Sequence, residues 1–196
     1  VTIMRQPKKR YQKLSAVRKS SADYRKLISE KSFLKVQQRA RGIGVDLVSV
    51  DFNGMELQFR TQSTTVKGKF YTEIIQFSEL EPSQIVEGRN LAQILRSAKL
   101  KVYSNDPAYL YWGYAYKCWR YGCGLYPETR FPKVRNPRLR GWVSKHLYAV
   151  LMTFPFIAPQ IGKLLRKYWT EKQEKEFSEK LQKISKDVKL DDLLDA

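Results

Sequence analysis

Apolar residues change their period several times along this chain, and each change marks an element. From about Ser21 to Arg41 they recur at helical spacing, with Tyr24, Leu27, Ile28, Phe33, Leu34 and Val36 on one broad stripe. Ser21 is placed as the N-cap of that helix and Gly42 or Gly44 as its stop. The period then drops to two. "VDLVSVDFNGMELQFRT" alternates apolar and polar residues on both sides of Asn53-Gly54, a pair that favours the positive φ angles of a hairpin turn. "KGKFYTEIIQF" reads as a third strand and "KLKVY" as a short fourth one. Between them, "SELEPSQIVEGRNLAQILRSA" reads as a loop followed by a helix carrying Ile85, Leu91, Ile94 and Leu95.

After residue 104 the helical period returns. Pro107 suits a first helical turn, and Asp106 before it is a good N-cap. The spacing predicts a helix over 107–121, with Tyr109, Trp112, Tyr116 and Trp119 on one face and Tyr111 and Tyr114 on another. Gly122 and Gly124 end it. Residues 125–141, with three prolines and five basic residues, read as a loop. A helix from Trp142 to Thr153 follows and is interrupted by Pro155 and Pro159. The last predicted element is an amphipathic helix from Gln160 to Asp187, with Ile161, Leu164, Leu165, Tyr168 and Trp169 on its apolar side. The pattern predicts an α+β fold: a small antiparallel sheet with packed helices, a basic N-terminal arm and a C-terminal amphipathic helix. Its divisions are a basic arm over 1–19, a single domain over 20–169 and a charged helical tail over 170–196. The apolar run from Leu147 to Ile161 is short for a bilayer and holds two prolines, so no membrane partner is expected.

Charge narrows the partners. Lysine and arginine number 37 against 19 acids among 196 residues, a formal net charge of +18. Such a surface attracts polyanions or acidic proteins. The candidate nucleic-acid contacts are Lys8, Lys9 and Arg10 in the arm, and Arg130, Lys133, Arg135, Arg138, Arg140 and Lys145 around the loop. The loop residues interleave with Phe131, Pro132, Pro137 and Trp142, a mixture suited to phosphate contact and some stacking. No major-groove reading helix is evident, so duplex DNA bound without base preference is expected. An acidic protein neighbour would suit the same loop.

Enzyme chemistry finds little to work with. The single histidine has no Ser-centred motif near it, and no phosphate loop or dinucleotide turn follows a strand. Asp46, Asp51, Glu56 and Glu73 are the carboxylates that strand pairing could bring together. No catalytic residue is assigned. Cys118 and Cys123 make no disulfide framework, and no secretory leader is recognised, so a reducing setting of synthesis is expected.

Two short stretches add a resemblance. Ser104-Asn105-Asp106-Pro107 stands where a SWIM-type zinc module has Cys-x-Cys-Pro, and Ser144-Lys145-His146-Leu147 where it has Cys-Lys-His-Leu. The aromatic helix after the proline and "RNPRLRG" before the histidine add to the likeness, so residues 100–151 resemble SWIM-type modules of uncharacterised tailed-bacteriophage proteins. The resemblance makes Ser104, Asp106, Ser144 and His146 degenerate metal-site positions. A structural zinc site wants four thiolate or imidazole ligands, so neither a metal nor another cofactor is expected. Aromatic packing and hydrogen bonds would take the metal's place. The resemblance further implies a non-enzymatic virion structural or DNA-associated protein. It would act in several copies with other virion proteins, in the virion or the host cytoplasm. A regulatory DNA-binding protein outside particles, and an assembly adaptor for acidic proteins, are the alternatives.

Overall fold

The computed structural model describes residues 22–23, 27–28 and 34–187. The arm over 1–19, with Lys8, Lys9 and Arg10, lies outside them, as do Ser21, Tyr24 and Phe33. The fold is α+β, built on an antiparallel sheet in the order β1-β5-β4-β3-β2. Its strands are β1 (Ala22–Asp23), β2 (Val45–Asp51), β3 (Glu56–Gln62), β4 (Phe70–Phe77) and β5 (Lys99–Ser104). Ala22 and Asp23 pair with Leu100 and Lys99. The predicted first helix therefore does not start at Ser21; its described part is α1 (Leu34–Ala40), with Leu27 and Ile28 also helical.

The β2–β3 hairpin turns around Asn53-Gly54, with Asp51 opposite Glu56 and the Asn53 N–H donating to Asp51 Oδ1 at 3.0 Å, but the positive φ falls on Met55, at +51°, and not on Asn53 or Gly54. The pairing shifts between Leu47 and Ser49. An extra residue there bends an edge strand and discourages further pairing. On the inner face of the sheet lie Leu57 and Phe59 from β3, Ile75 and Phe77 from β4, and Leu100 and Val102 from β5, all buried. Period-two alternation alone assigns these positions to one face.

The segment read as one helix between β4 and β5 is two: α2 (Pro82–Glu87) and α3 (Leu91–Ser97). Gly88 leaves the helical conformation, and Asn90 starts a new N-cap by accepting from the Gln93 N–H at 3.1 Å. The aromatic helix is likewise split, into α4 (Pro107–Tyr111) and α5 (Tyr114–Arg120). Gly113 makes the break at φ +80°, and a Cβ there would lie 2.2 Å from Pro132 Cγ. The break turns Tyr109 into the core while Tyr111 and Trp112 face solvent.

The largest departure is α6 (Lys145–Asp187), which runs unbroken through Pro155 and Pro159 and begins three residues later than Trp142. Proline at 159 offers no N–H to the Pro155 carbonyl, which would be left without a partner. Arg96 Nη2 from α3 donates to that carbonyl at 2.7 Å. A second guanidinium acts in the opposite direction: Arg166 of α6 donates from Nε to Ile85 O at 3.0 Å and also to Gly88 O, serving carbonyls at the end of α2. Leu147, Val150, Leu151, Phe154, Ala158, Ile161 and Leu165 form the buried stripe of α6, whereas Leu164 is exposed.

By length and composition α6 is apolar enough to cross a membrane, so the expectation that the segment is too short does not hold. Half of its most apolar stretch is buried inside the protein, as in the core helix of a folded domain. Contact with the body continues to the hairpin tip. There Phe52 stacks on Tyr168 with centroids 4.8 Å apart, and Tyr168 Oη and Lys172 Nζ donate to Asn53 Oδ1. Residues 173–180 are exposed.

Candidate functional site: a buried Asp–His pair beside a basic loop

The end of β5 and the start of α6 meet, and they bring Ser104, Asp106, Ser144 and His146 to one place. Asp106 is the hub. Its Oδ1 caps α4 by accepting from the Ala108 N–H at 2.9 Å, and its Oδ2 lies 2.8 Å from His146 Nδ1. Its own N–H donates to Ser104 Oγ at 3.0 Å. All four residues are buried. Burial by itself would raise the Asp106 pKa. The hydrogen bonds from His146 and the Ala108 N–H, and the nearby imidazole charge, outweigh it and hold the carboxyl below its ordinary range. An ionised carboxylate only accepts, so Nδ1 carries the proton, and Nε2 is buried without a partner among the described residues. Ser144 Oγ lies close enough to help hold the Asp106 charge, yet makes no hydrogen bond of regular geometry.

Under this pair the sheet is polar where alternation calls for core. Thr61, Glu73 and Ser104 lie on the inner face of three adjacent strands, and all are buried. Thr61 Oγ1 donates to Glu73 Oε1 at 3.3 Å, while Glu73 Oε2 has no partner among the described residues. Burial pushes the Glu73 carboxyl well up and the Asp106 charge adds to the rise, against hydrogen bonds from Ser104 and Thr61 that lower it. Pattern reasoning singled out Glu73 only as one of four strand acids, although its phase within "FYTEIIQF" already put it on the core face. The four do not converge. Asp46 pairs with Arg60 at 3.3 Å on the exposed side, and Asp51 and Glu56 face each other at the hairpin.

The residues present do not fit a zinc ion. Asp106 and His146 are bonded to one another, and the two serines add hydroxyls where a zinc site needs thiolates. Cys118 and Cys123 are buried together beside Tyr109, with Cys118 Sγ donating to Trp142 O at 3.2 Å. Among the described residues, no three His, Cys, Asp or Glu side chains are grouped to hold a metal.

No family model, curated protein or solved structure matches the chain.

The predicted basic residues divide into three groups. Arg130 is engaged: Glu128 accepts from its Nε at 2.9 Å and its Nη2 at 2.5 Å, and the Glu128 carboxyl is held low by those bonds. Lys145 is half-buried and donates to Thr64 Oγ1. Lys133, Arg135, Arg138 and Arg140 are exposed and form no ion pair among the described residues. The loop that carries them is built from within. Asn136 is buried, donates from Nδ2 to Arg140 O and accepts the Arg140 N–H at Oδ1, both at 2.9 Å. Leu139 at φ +48° and Gly141 at φ +77° close the turn. Pro132 against Gly113 and Phe131 against Tyr116, centroids 5.4 Å apart, tie the loop to α4 and α5. Sequence reasoning missed Asn136, although its Asn-Pro context is a turn signal.

Proposed function

We propose that the protein is a non-enzymatic, DNA-associated basic subunit of a larger assembly of bacteriophage type. In this reading residues 100–151 are a SWIM-like module that holds together without zinc. The convergence of Ser104, Asp106, Ser144 and His146 carries it: two segments 40 residues apart in sequence meet through the Asp106–His146 bond, where the module would have had its metal. The interface for DNA is the loop with Lys133, Arg135, Arg138 and Arg140, whose cations are exposed and whose backbone Asn136 holds. The protein works in several copies with other virion proteins, in the virion or the host cytoplasm, and needs neither membrane nor cofactor. DNA contact is electrostatic, so affinity for duplex DNA falls steeply as salt rises from low to moderate. Replacing Arg135, Arg138 and Arg140 with alanine is expected to weaken binding and flatten the salt slope by roughly three. Unchanged binding would favour an adaptor for acidic proteins. Mass spectrometry of purified particles tests the assembly: absence from every particle would favour a regulatory DNA-binding protein.

A further inference from the structure

We propose that the aromatic rings at the α4–α5 junction, with the cations on either side of them, form a stacking track for single-stranded DNA. The inference rests on the DNA-associated reading above and sharpens it from duplex to single strand. Tyr111 and Trp112 are consecutive residues at the end of α4, 57% and 44% exposed. Neither ring packs on another ring among the described residues. Tyr111 lines a groove of about 480 Å³ with Pro132, Lys133, Val134 and Arg135. Trp112 lines a larger cleft of about 610 Å³ that includes Arg39, Tyr71, Tyr114, Lys145 and His146. The two rings thus belong to two neighbouring hollows, each flanked by cations. Phe131, 43% exposed and edge-on to Tyr116, adds a third accessible ring beside the first hollow.

Chemistry selects the occupant. Accessible rings set among lysine and arginine side chains match a strand whose base faces are free and whose phosphates follow at short intervals. A duplex hides its base faces in the stack and would use only the cations. An acidic protein surface would also use the cations, without a need for flat faces.

The test uses the full chain and fluorescence anisotropy of labelled oligodeoxythymidylate, with a duplex of equal length, over a series of salt concentrations. The single strand is expected to bind more tightly. Tyr111→Ala and Trp112→Ala should each weaken it by about fivefold or more, and leave duplex binding within about twofold. Trp112→Phe keeps a stacking face and should retain most of the affinity, with melting curves confirming that each variant is folded. The triple arginine variant should weaken both ligands and flatten the single-strand salt slope by about two. The proposal is overturned if folded ring variants bind the single strand like the parent, if the duplex binds as tightly, or if polyglutamate competes as well as the oligonucleotide. Failure of both DNA ligands to bind at low salt would instead remove the DNA-associated reading on which it rests.

Discussion

Asp106 caps one helix with one oxygen and holds the first turn of another with the second, so a single carboxylate joins segments far apart in the chain. Because Asp106 bonds His146 and has Ser104 and Ser144 beside it, replacing Ser104, Asp106 and Ser144 with cysteine should create a four-ligand site with His146. Elemental analysis is expected to find one zinc per chain in that variant; a folded variant without zinc would show that the positions do not converge as a ligand set. Glu73 gives the second residue-scale prediction. Its folded pKa is raised above the ordinary 4.5, so its favourable contribution is complete below about that pH and is lost as pH rises through the folded value. Asp106 runs the other way: its contribution is present above the ordinary 3.8 and is lost as pH falls through its depressed folded value. Glu73→Gln cannot ionise, so the variant should gain stability relative to the parent between pH 5 and pH 8. Thermal melts at the two pH values measure it, and a parent and variant that change in parallel would refute the assignment.

At the scale of elements, α6 depends on a side chain from outside itself. Arg96→Met leaves the Pro155 carbonyl without its guanidinium and should cost about 1–3 kcal/mol. Pro159→Ala restores a backbone N–H four residues after that carbonyl. The arginine should therefore matter less in the alanine background, a non-additivity that denaturant titration of the double-mutant cycle can measure. Strictly additive effects would mean that Arg96 serves packing alone. The two prolines explain why pattern reasoning broke this helix in two. A proline removes a donor in every context, while the replacement donor comes from a residue 59 positions away. Gly113 is the converse case. The aromatic spacing continues smoothly across it, yet its left-handed backbone splits the helix and makes room for Pro132.

For the molecule as a whole, Lys172 makes the last hydrogen bond of α6 to the hairpin tip among the described residues. Residues 173–180 are exposed, and Lys175 pairs with Glu179 at 3.9 Å on a well-exposed surface. Surface pairs of this kind contribute little to stability. A chain ending at Lys175 should accordingly melt close to the full-length protein, within about 0.5 kcal/mol. It should also lose its place in particles if the helical tail makes inter-chain contacts, as the assembly reading holds. A large drop in melting temperature would show that the end of α6 belongs to the domain core. The net charge of +18 acts at this scale too, since it favours polyanions without choosing among them.

Hydrophobic period, hairpin signal and helix caps were local, and the sequence by itself determined them: the four main strands, the turn at Asn53-Gly54 and the Asp106 cap are all legible there. So were the candidate positions around His146, because they occur in two short contiguous stretches. The tertiary structure alone decided that α6 survives its prolines, that Arg130 is taken up by Glu128, and that Glu73 is a buried acid under an Asp–His pair. The Arg130–Glu128 pair is local, two residues apart, and turns on the loop conformation that lets both side chains meet; the other two turn on a partner supplied from elsewhere in the fold or on the loss of water around a charge. Neither is visible in the spacing of residues along a chain, because both are set by which surfaces meet when the sheet and helices close on one another.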